Sequence, residues 1–217
     1  MRILVLSDIH IGDPRLHNED DIVKLLDSVE YDRLVLNGDI VDTWLADFFT
    51  QSPVIKKLRS IAKQKPVIWV RGNHDNVSCH QTIIPGAKVK DMYLYNRKSP
   101  NPILFIHGHQ VYKFMNMAPH QKILAKVNAF FYNLSGIDFQ TWGRKVFLYK
   151  NVIVDKRIKV IKKYGYLSDN IVIGHTHIPG YQIHKGRSLY DAGSLMDSST
   201  YVYIENDRIS IERMDKA

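Results

Sequence analysis

Cysteine is all but missing: Cys79 stands alone in 217 residues. No disulfide can close within the chain, and a site built from several thiolates is excluded, so any metal would have to be held by nitrogen and oxygen. Cys79 itself reads as a packing residue rather than a nucleophile. Also absent is an apolar run near the ~20 residues of a membrane-spanning helix. The opening MRILVLS has an apolar core too short for a secretory signal and is closed by Asp8. Repeats and low-complexity linkers are lacking too. These absences predict a soluble, cytoplasmic chain forming one domain over 1–217, with 45% apolar residues to build its core.

Acid is scarce in one place. Residues 110–165 contain eleven Lys and Arg against Asp138 and Asp155 alone. Of the chain's 30 basic and 22 acidic residues, the rest therefore holds 19 and 20. The formal charge of +8 lies in that single segment, which implies a local anionic partner rather than a generally basic protein.

Five runs, RILVLS (2–7), RLVLNG (33–38), VIWVRG (67–72), ILFIHG (103–108) and NIVIGH (170–175), are almost continuously apolar and end near Gly or Ser. Such runs fit strands covered on both faces. DIVKLLDSV (21–29) and PVIKKLRSIAKQK (53–65) have apolar residues at helical spacing, with Pro53 suited to a first turn. TYVYIENDRISIERM alternates around Asn206-Asp207 and predicts a hairpin. The expected fold is an α/β core with an insertion at 110–165. That segment carries ten aromatic residues and two helical stretches, and reads as a basic, aromatic lid over the core's site.

The residues that follow the five runs carry the chemistry. They are Asp8 and His10, then Asp39 and Asp42, then Asn73, His74 and Asp75, then His107, then His175 and His177. In α/β sheets ligands gather at the carboxyl ends of strands, so these side chains are expected along one edge. So many nitrogen and oxygen donors exceed one tetrahedral site and suit two divalent cations sharing a carboxylate. The mixed donor set accepts manganese foremost, and also iron, zinc, cobalt or nickel. Each residue alone has a plainer reading. Asp8 could cap a helix, Asp39 and Asp42 could belong to a turn, and His107 and His175 could be satisfied core imidazoles. The metal reading rests on their joint occurrence.

The ordered series Asp8-x-His10, Gly38-Asp39-x-x-Asp42, Gly72-Asn73-His74-Asp75, His107 and Gly174-His175-x-His177 resembles the calcineurin-like metallophosphoesterases. The resemblance implies a four-layer α/β/β/α sandwich. It implies one metal on Asp8, His10, Asp39 and His177, and a second on Asn73, His107, His175 and the shared Asp39. It places His74 beside the scissile phosphate with Asp75 orienting it, and Asp42 behind the ligands. GDIVDTWLADFF, with Trp44 and Asp47, further resembles the pyrophosphatases of that family that cleave UDP-2,3-diacylglucosamine. The chain departs from that group at His74, where Arg is usual, and at His109, where Asp is usual. The departure at His74 points to a more general phosphoesterase site.

The expected activity is hydrolysis of an anionic phosphodiester or pyrophosphate by hydroxide held between the two metals. His74 would assist the leaving oxygen, and Arg71 and His109 would contact substrate. Basic and aromatic together, the lid suits an amphipathic substrate or peripheral contact with an anionic membrane, and equally a nucleic acid with stacked bases. A nuclease and a non-catalytic binding module therefore stand as alternatives. The oligomeric state is not legible in the sequence.

Overall fold

The computed structural model describes residues 1–42, 51–75, 80–111 and 149–215. Chain order runs β1 (Arg2–Leu6), α1 (Glu19–Ser28), β2 (Arg33–Asn37), α2 (Pro53–Ala62), β3 (Val67–Val70) and the short α3 (His80–Ile83). Then come β4 (Lys88–Lys90), β5 (Tyr93–Tyr95), β6 (Ile103–Phe105), a 3₁₀ turn at His109–Val111, and α4 (Tyr149–Tyr164). The chain closes with β7 (Asn170–Ile173), β8 (Gly180–His184), β9 (Arg187–Asp191), β10 (Thr200–Glu205) and β11 (Arg208–Arg213).

The five apolar runs form strands, and they divide between two sheets. One sheet has the order β11-β10-β1-β2-β3-β4 and the other β5-β6-β7-β9-β8. β1 to β4 are mutually parallel, as are β6, β7 and β9, so their carboxyl ends share a direction within each sheet. The unbroken apolar character of the runs follows from coverage on both sides. Ile3, Val5, Val35, Ile68 and Val70 face a core shared with Ile103, Phe105 and Val172 of the second sheet. Leu4, Leu6, Leu34, Leu36 and Trp69 point the other way, onto α1 and α2. On the far side, Leu104, Ile171, Ile173 and Leu189 pack against Val160, Ile161 and Tyr164 of α4. The layers are thus α/β/β/α.

Local signals account for the helix starts. Ser52 caps α2 by accepting from the Ile55 N–H at 3.3 Å, with Pro53 in the first turn. Glu19, Asp20 and Asp21 place negative charge at the amino end of α1, where the helix dipole favours it. Asn206 and Asp207 turn the β10–β11 hairpin with φ of 49° and 64°, as a two-residue turn of this hand requires. From segment 110–165, α4 belongs to the outer layer of the sandwich. Residues 112–148 of the lid read from the sequence lie outside the described residues, as do Trp44, Asp47 and Cys79. Among the described residues no helix is long and apolar enough to cross a membrane.

Candidate metal centre

The loops leaving β1 and β2 are zipped together. Asp8 N donates to Gly38 O at 3.0 Å, His10 N to Asp39 O at 3.0 Å and Asp42 N to Ile11 O at 2.9 Å. The second sheet joins them through side chains: His175 N donates to Asp8 Oδ2 at 2.9 Å, and His107 Nδ1 to Asn37 O at 2.9 Å. The backbone is bent to achieve this. Asp8, His10, Asp39, His175 and His177 all sit in the left-handed region, with φ of 51°, 57°, 52°, 71° and 59°. Each such residue costs on the order of 1–3 kcal/mol, and such strain persists where surrounding structure enforces it. Gly72 lies so close that any Cβ there would collide with the carboxylate and N–H of Asp39.

Three overlapping clusters result. Asp8, His10 and His177 form one, His10, Asp39 and His74 a second, and Asp39, His107 and His175 a third; within each, one donor atom per residue lies within 4.8 Å of the others. Asp39 and His10 each belong to two. Asp8, His10, Asp39, His107 and His175 are buried. Asn73, in the turn after β3, has an Oδ1 that is buried and without a hydrogen-bond partner among the described residues.

The hydrogen bonds made by the far ring nitrogens decide what the near ones can do. His10 Nδ1 lies 3.0 Å from Asp42 Oδ2, and His177 Nδ1 contacts Asp197. A carboxylate only accepts, so both Nδ1 atoms carry hydrogen and, in neutral rings, both Nε2 atoms carry lone pairs. Those two Nε2 atoms lie 3.2 Å apart, with Asp8 Oδ1 3.2 Å from that of His177. Lone pairs packed this way require a positive charge among them. The same holds at His107: with Nδ1 donating to Asn37 O, its Nε2 lies 3.2 Å from Asp39 Oδ2.

The titration behaviour has the same cause. Burial pushes His107 down, but Asp39 and Asp8 outweigh it and lift the imidazole to about 10. Burial pushes Asp8 up, and the charges of His107 and His177 overcome it and hold the carboxyl at about 2. His175 is driven well below its ordinary value by burial and by the charge of His107, which leaves it a neutral donor. A divalent cation would take over the role of these protons, and imidazole plus carboxylate is a donor set that suits it. Residues and group fit.

Asp42 serves two rings at once: Oδ2 faces His10 Nδ1, and Oδ1 contacts His74 Nδ1. His74 stands edge-on to His10, with ring centroids 4.6 Å apart, and is the more exposed of the two, at 16% against 3% of side-chain surface. Asp75 directs its carboxylate into the backbone. It accepts from Asp39 N (3.0 Å), Ile40 N (2.9 Å) and Gly72 N (2.8 Å), and from the indole of Trp69 (3.1 Å). Burial, and then the charge of Asp39, raises its pKa. Arg71 pairs with Asp91. The His109 ring lies 5.5 Å from that of His107, and burial, reinforced by the charge of His107, lowers its imidazole to about 4.

Sequence reasoning passed over Asp197, which orients His177, and, although Asn37 stands out as a residue flanking the ligands, the role of its carbonyl in orienting His107. Asp197 had one available signal, its place three residues after Gly193-Ser194 in a polar turn. The Asn37 contribution is a backbone atom and leaves no trace in residue type.

Known proteins bear on this arrangement in three ways. The family model for calcineurin-like phosphoesterases matches residues 1–205. A UDP-2,3-diacylglucosamine hydrolase from Coxiella burnetii is 23% identical over 202 residues, covering 81% of this chain and 80% of its own length. Among solved structures, the phosphoesterase Yfce from E. coli superposes with a TM-score of 0.58 at 17% identity, over 99% of this chain and 94% of that one. An archaeal phosphodiesterase superposes at 0.53 with 15% identity, over 98% and 99%. These structural likenesses concern the fold. The match across nearly the whole length makes this chain a member of the calcineurin-like phosphoesterase family, and thereby a phosphoester hydrolase.

Proposed function

We propose that the centre holds two divalent ions and hydrolyses a phosphodiester or pyrophosphate bond in an anionic, amphipathic substrate. One observation carries the dinuclear part: Asp39 belongs to two donor clusters at once, one with His10 and His74 and the other with His107 and His175. Asp8, His10, His177 and Asp39 would hold one ion, and Asp39, Asn73, His107 and His175 the other. Bound there, the ions supply a nucleophile at neutral pH and neutralise charge on the phosphoryl oxygens.

The chain's own residues do the rest. Asp42 keeps a proton on Nδ1 of both His10 and His74, which fixes the two rings and leaves each Nε2 for use in front. His74, partly exposed beside the clusters, would act as an imidazolium: it gives the Nε2 proton to the leaving oxygen, keeps the Nδ1 proton on Asp42 and is left as a neutral ring. Asp75 holds the Asp39 loop and the Gly72 turn in register, so its part is to position rather than to react. His109, kept neutral, and Arg71 line the approach of the substrate. The substrate class draws on the curated relatives named UDP-2,3-diacylglucosamine hydrolase and on the basic, aromatic composition of residues 110–165, which suits an anionic amphiphile near a membrane surface.

The test is His74→Asn, assayed on bis(p-nitrophenyl) phosphate and UDP-diacylglucosamine in saturating Mn²⁺. Turnover should fall by about 10²–10⁴-fold, the usual worth of a positioned acid, with bound metal unchanged by elemental analysis. Undiminished turnover would remove His74 from the reaction. Cleavage of p-nitrophenyl phosphate in preference to the bis ester would overturn the diester assignment.

A further inference from the structure

A buried ion pair outside the metal ligands ties α4 to the loop that carries His175 and His177. Arg157, 6% exposed, reaches from α4 to two places. Its Nε donates to Asp191 Oδ2 at 3.1 Å, at the end of β9, and its terminal nitrogen donates to Ile178 O at 2.7 Å, one residue past His177. Asp191, fully buried, also accepts from the Thr176 hydroxyl at 2.7 Å and from Gly193 N at 3.2 Å. Thr176 is the residue between the two histidines, and its Oγ1 in turn accepts from Ile178 N at 3.1 Å. The loop is therefore gripped on both sides of His177 by one connected network. Gly180, at the start of β8, makes this possible: a Cβ there would fall within 3 Å of the guanidinium.

The loop needs such a grip. His175 and His177 both lie in the left-handed region, a conformation that reverts unless held. His177 is further oriented by Asp197, but nothing in that contact fixes the backbone of Thr176 or Ile178. The elements packed beside the pair are consistent with a mechanical link, because α4 lies against both β8 and β9.

We infer that Arg157, acting through Asp191 and Thr176, is a positioning residue that sets His175 and His177 for the proposed metal ions, an inference that stands on the dinuclear reading above. Its consequence is that metal affinity depends on α4, a helix that contributes no ligand. Groups behind metal ligands typically govern affinity by about 10–100-fold.

The decisive comparison uses metal-stripped full-length protein titrated with Mn²⁺ by calorimetry, with the thermal midpoint of the metal-free form measured in parallel. Arg157→Met combined with Asp191→Asn removes both charges together, so no unpaired ion is left inside and the fold should hold. Thr176→Val cuts the network from the other side with the ion pair intact. Both variants should bind Mn²⁺ about 10–100-fold more weakly than wild type, while the metal-free midpoint falls only modestly, as the loss of a buried hydrogen bond at Ile178 accounts for. Unaltered affinity in Thr176→Val and the double variant, or a fall in midpoint with affinity unchanged, overturns the inference and leaves the metal centre standing. Failure of the wild-type protein itself to take up Mn²⁺ would instead overturn the metal reading. Should the double variant not fold, Thr176→Val alone decides.

Discussion

Asp75 and Asp191 occupy matching places in the two sheets. Each lies at the carboxyl end of a parallel strand, Asp75 beyond β3 and Asp191 as the last residue of β9, and each steadies a loop that carries candidate ligands. Their partners differ. Asp75 is surrounded by N–H donors from its own turn, from the Asp39 loop and from Trp69, with no cation paired to it among the described residues. Asp191 has one backbone donor, one hydroxyl and the guanidinium of Arg157, which comes from a different layer. Burial raises the pKa of both. The first half of the centre is thus braced from within its own sheet, whereas the second half leans on a helix on the outer face. The first brace should act on folding as a whole; the second should be sensitive to charge.

The largest effect is expected from Asp75→Ala. It strands the N–H groups of Asp39, Ile40 and Gly72 and the Trp69 indole in a buried pocket. A stranded buried donor costs about 1–3 kcal/mol, so the loss should reach about 4 kcal/mol or more after relaxation, read as a shift in urea midpoint at constant m-value. A loss below about 1 kcal/mol would mean water replaces the carboxylate and the brace is not structural.

What the sequence revealed follows the same division. The strands that carry Asp8, Asp39, Asn73, His107 and His175 are legible because each is covered on both faces and therefore apolar throughout. Their split into two sheets is not written in those runs, since β1 and β6 have the same pattern; the sandwich was implied by the resemblance in the motifs. β8 and β9 escape detection because Gly180–His184 and Arg187–Asp191 are mostly polar, as an edge hairpin exposed on one face permits. Asp42 is legible as a residue behind the ligands, whereas its sharing between His10 and His74 depends on three loops meeting. Arg157 is the hardest case. It lies in YKNVIVDKRIKVIKKY among several other cations, and only a carboxylate 34 residues further along makes it an interior side chain.

A sharper and somewhat smaller effect should come from pH. Burial lifts the Asp191 carboxyl from its ordinary 3.8 to about 6, even though Arg157 and Thr176 favour the charged form. A carboxyl whose pKa is raised on folding adds stability below its unfolded value, and that contribution disappears as pH climbs through the folded value. Wild-type stability relative to Asp191→Asn should therefore decline between pH 3.8 and about 6 and level off above that. The decline should total about 3 kcal/mol, two pH units at 1.36 kcal/mol each. The stranded Arg157 adds a constant offset in the variant, so the slope is the signal. Parallel stability curves for the two proteins across that range would show that Asp191 is solvated in the fold.

The smallest predicted change separates charge from geometry at the second brace. Arg157→Lys keeps a cation able to reach Asp191, but an ammonium at the end of a flexible stem does not reproduce the fork that also serves Ile178 O at 2.7 Å. One buried carbonyl then loses its donor, at about 1–2 kcal/mol, while the compensation of the Asp191 charge survives. The urea midpoint should accordingly fall well short of the drop expected for Asp75→Ala. If it falls as far, the planar fork rather than its charge holds the second half together, and both braces would then depend on directed hydrogen bonds. If it does not move, the Ile178 contact contributes nothing, and the link from α4 to the histidine loop runs through Thr176 alone.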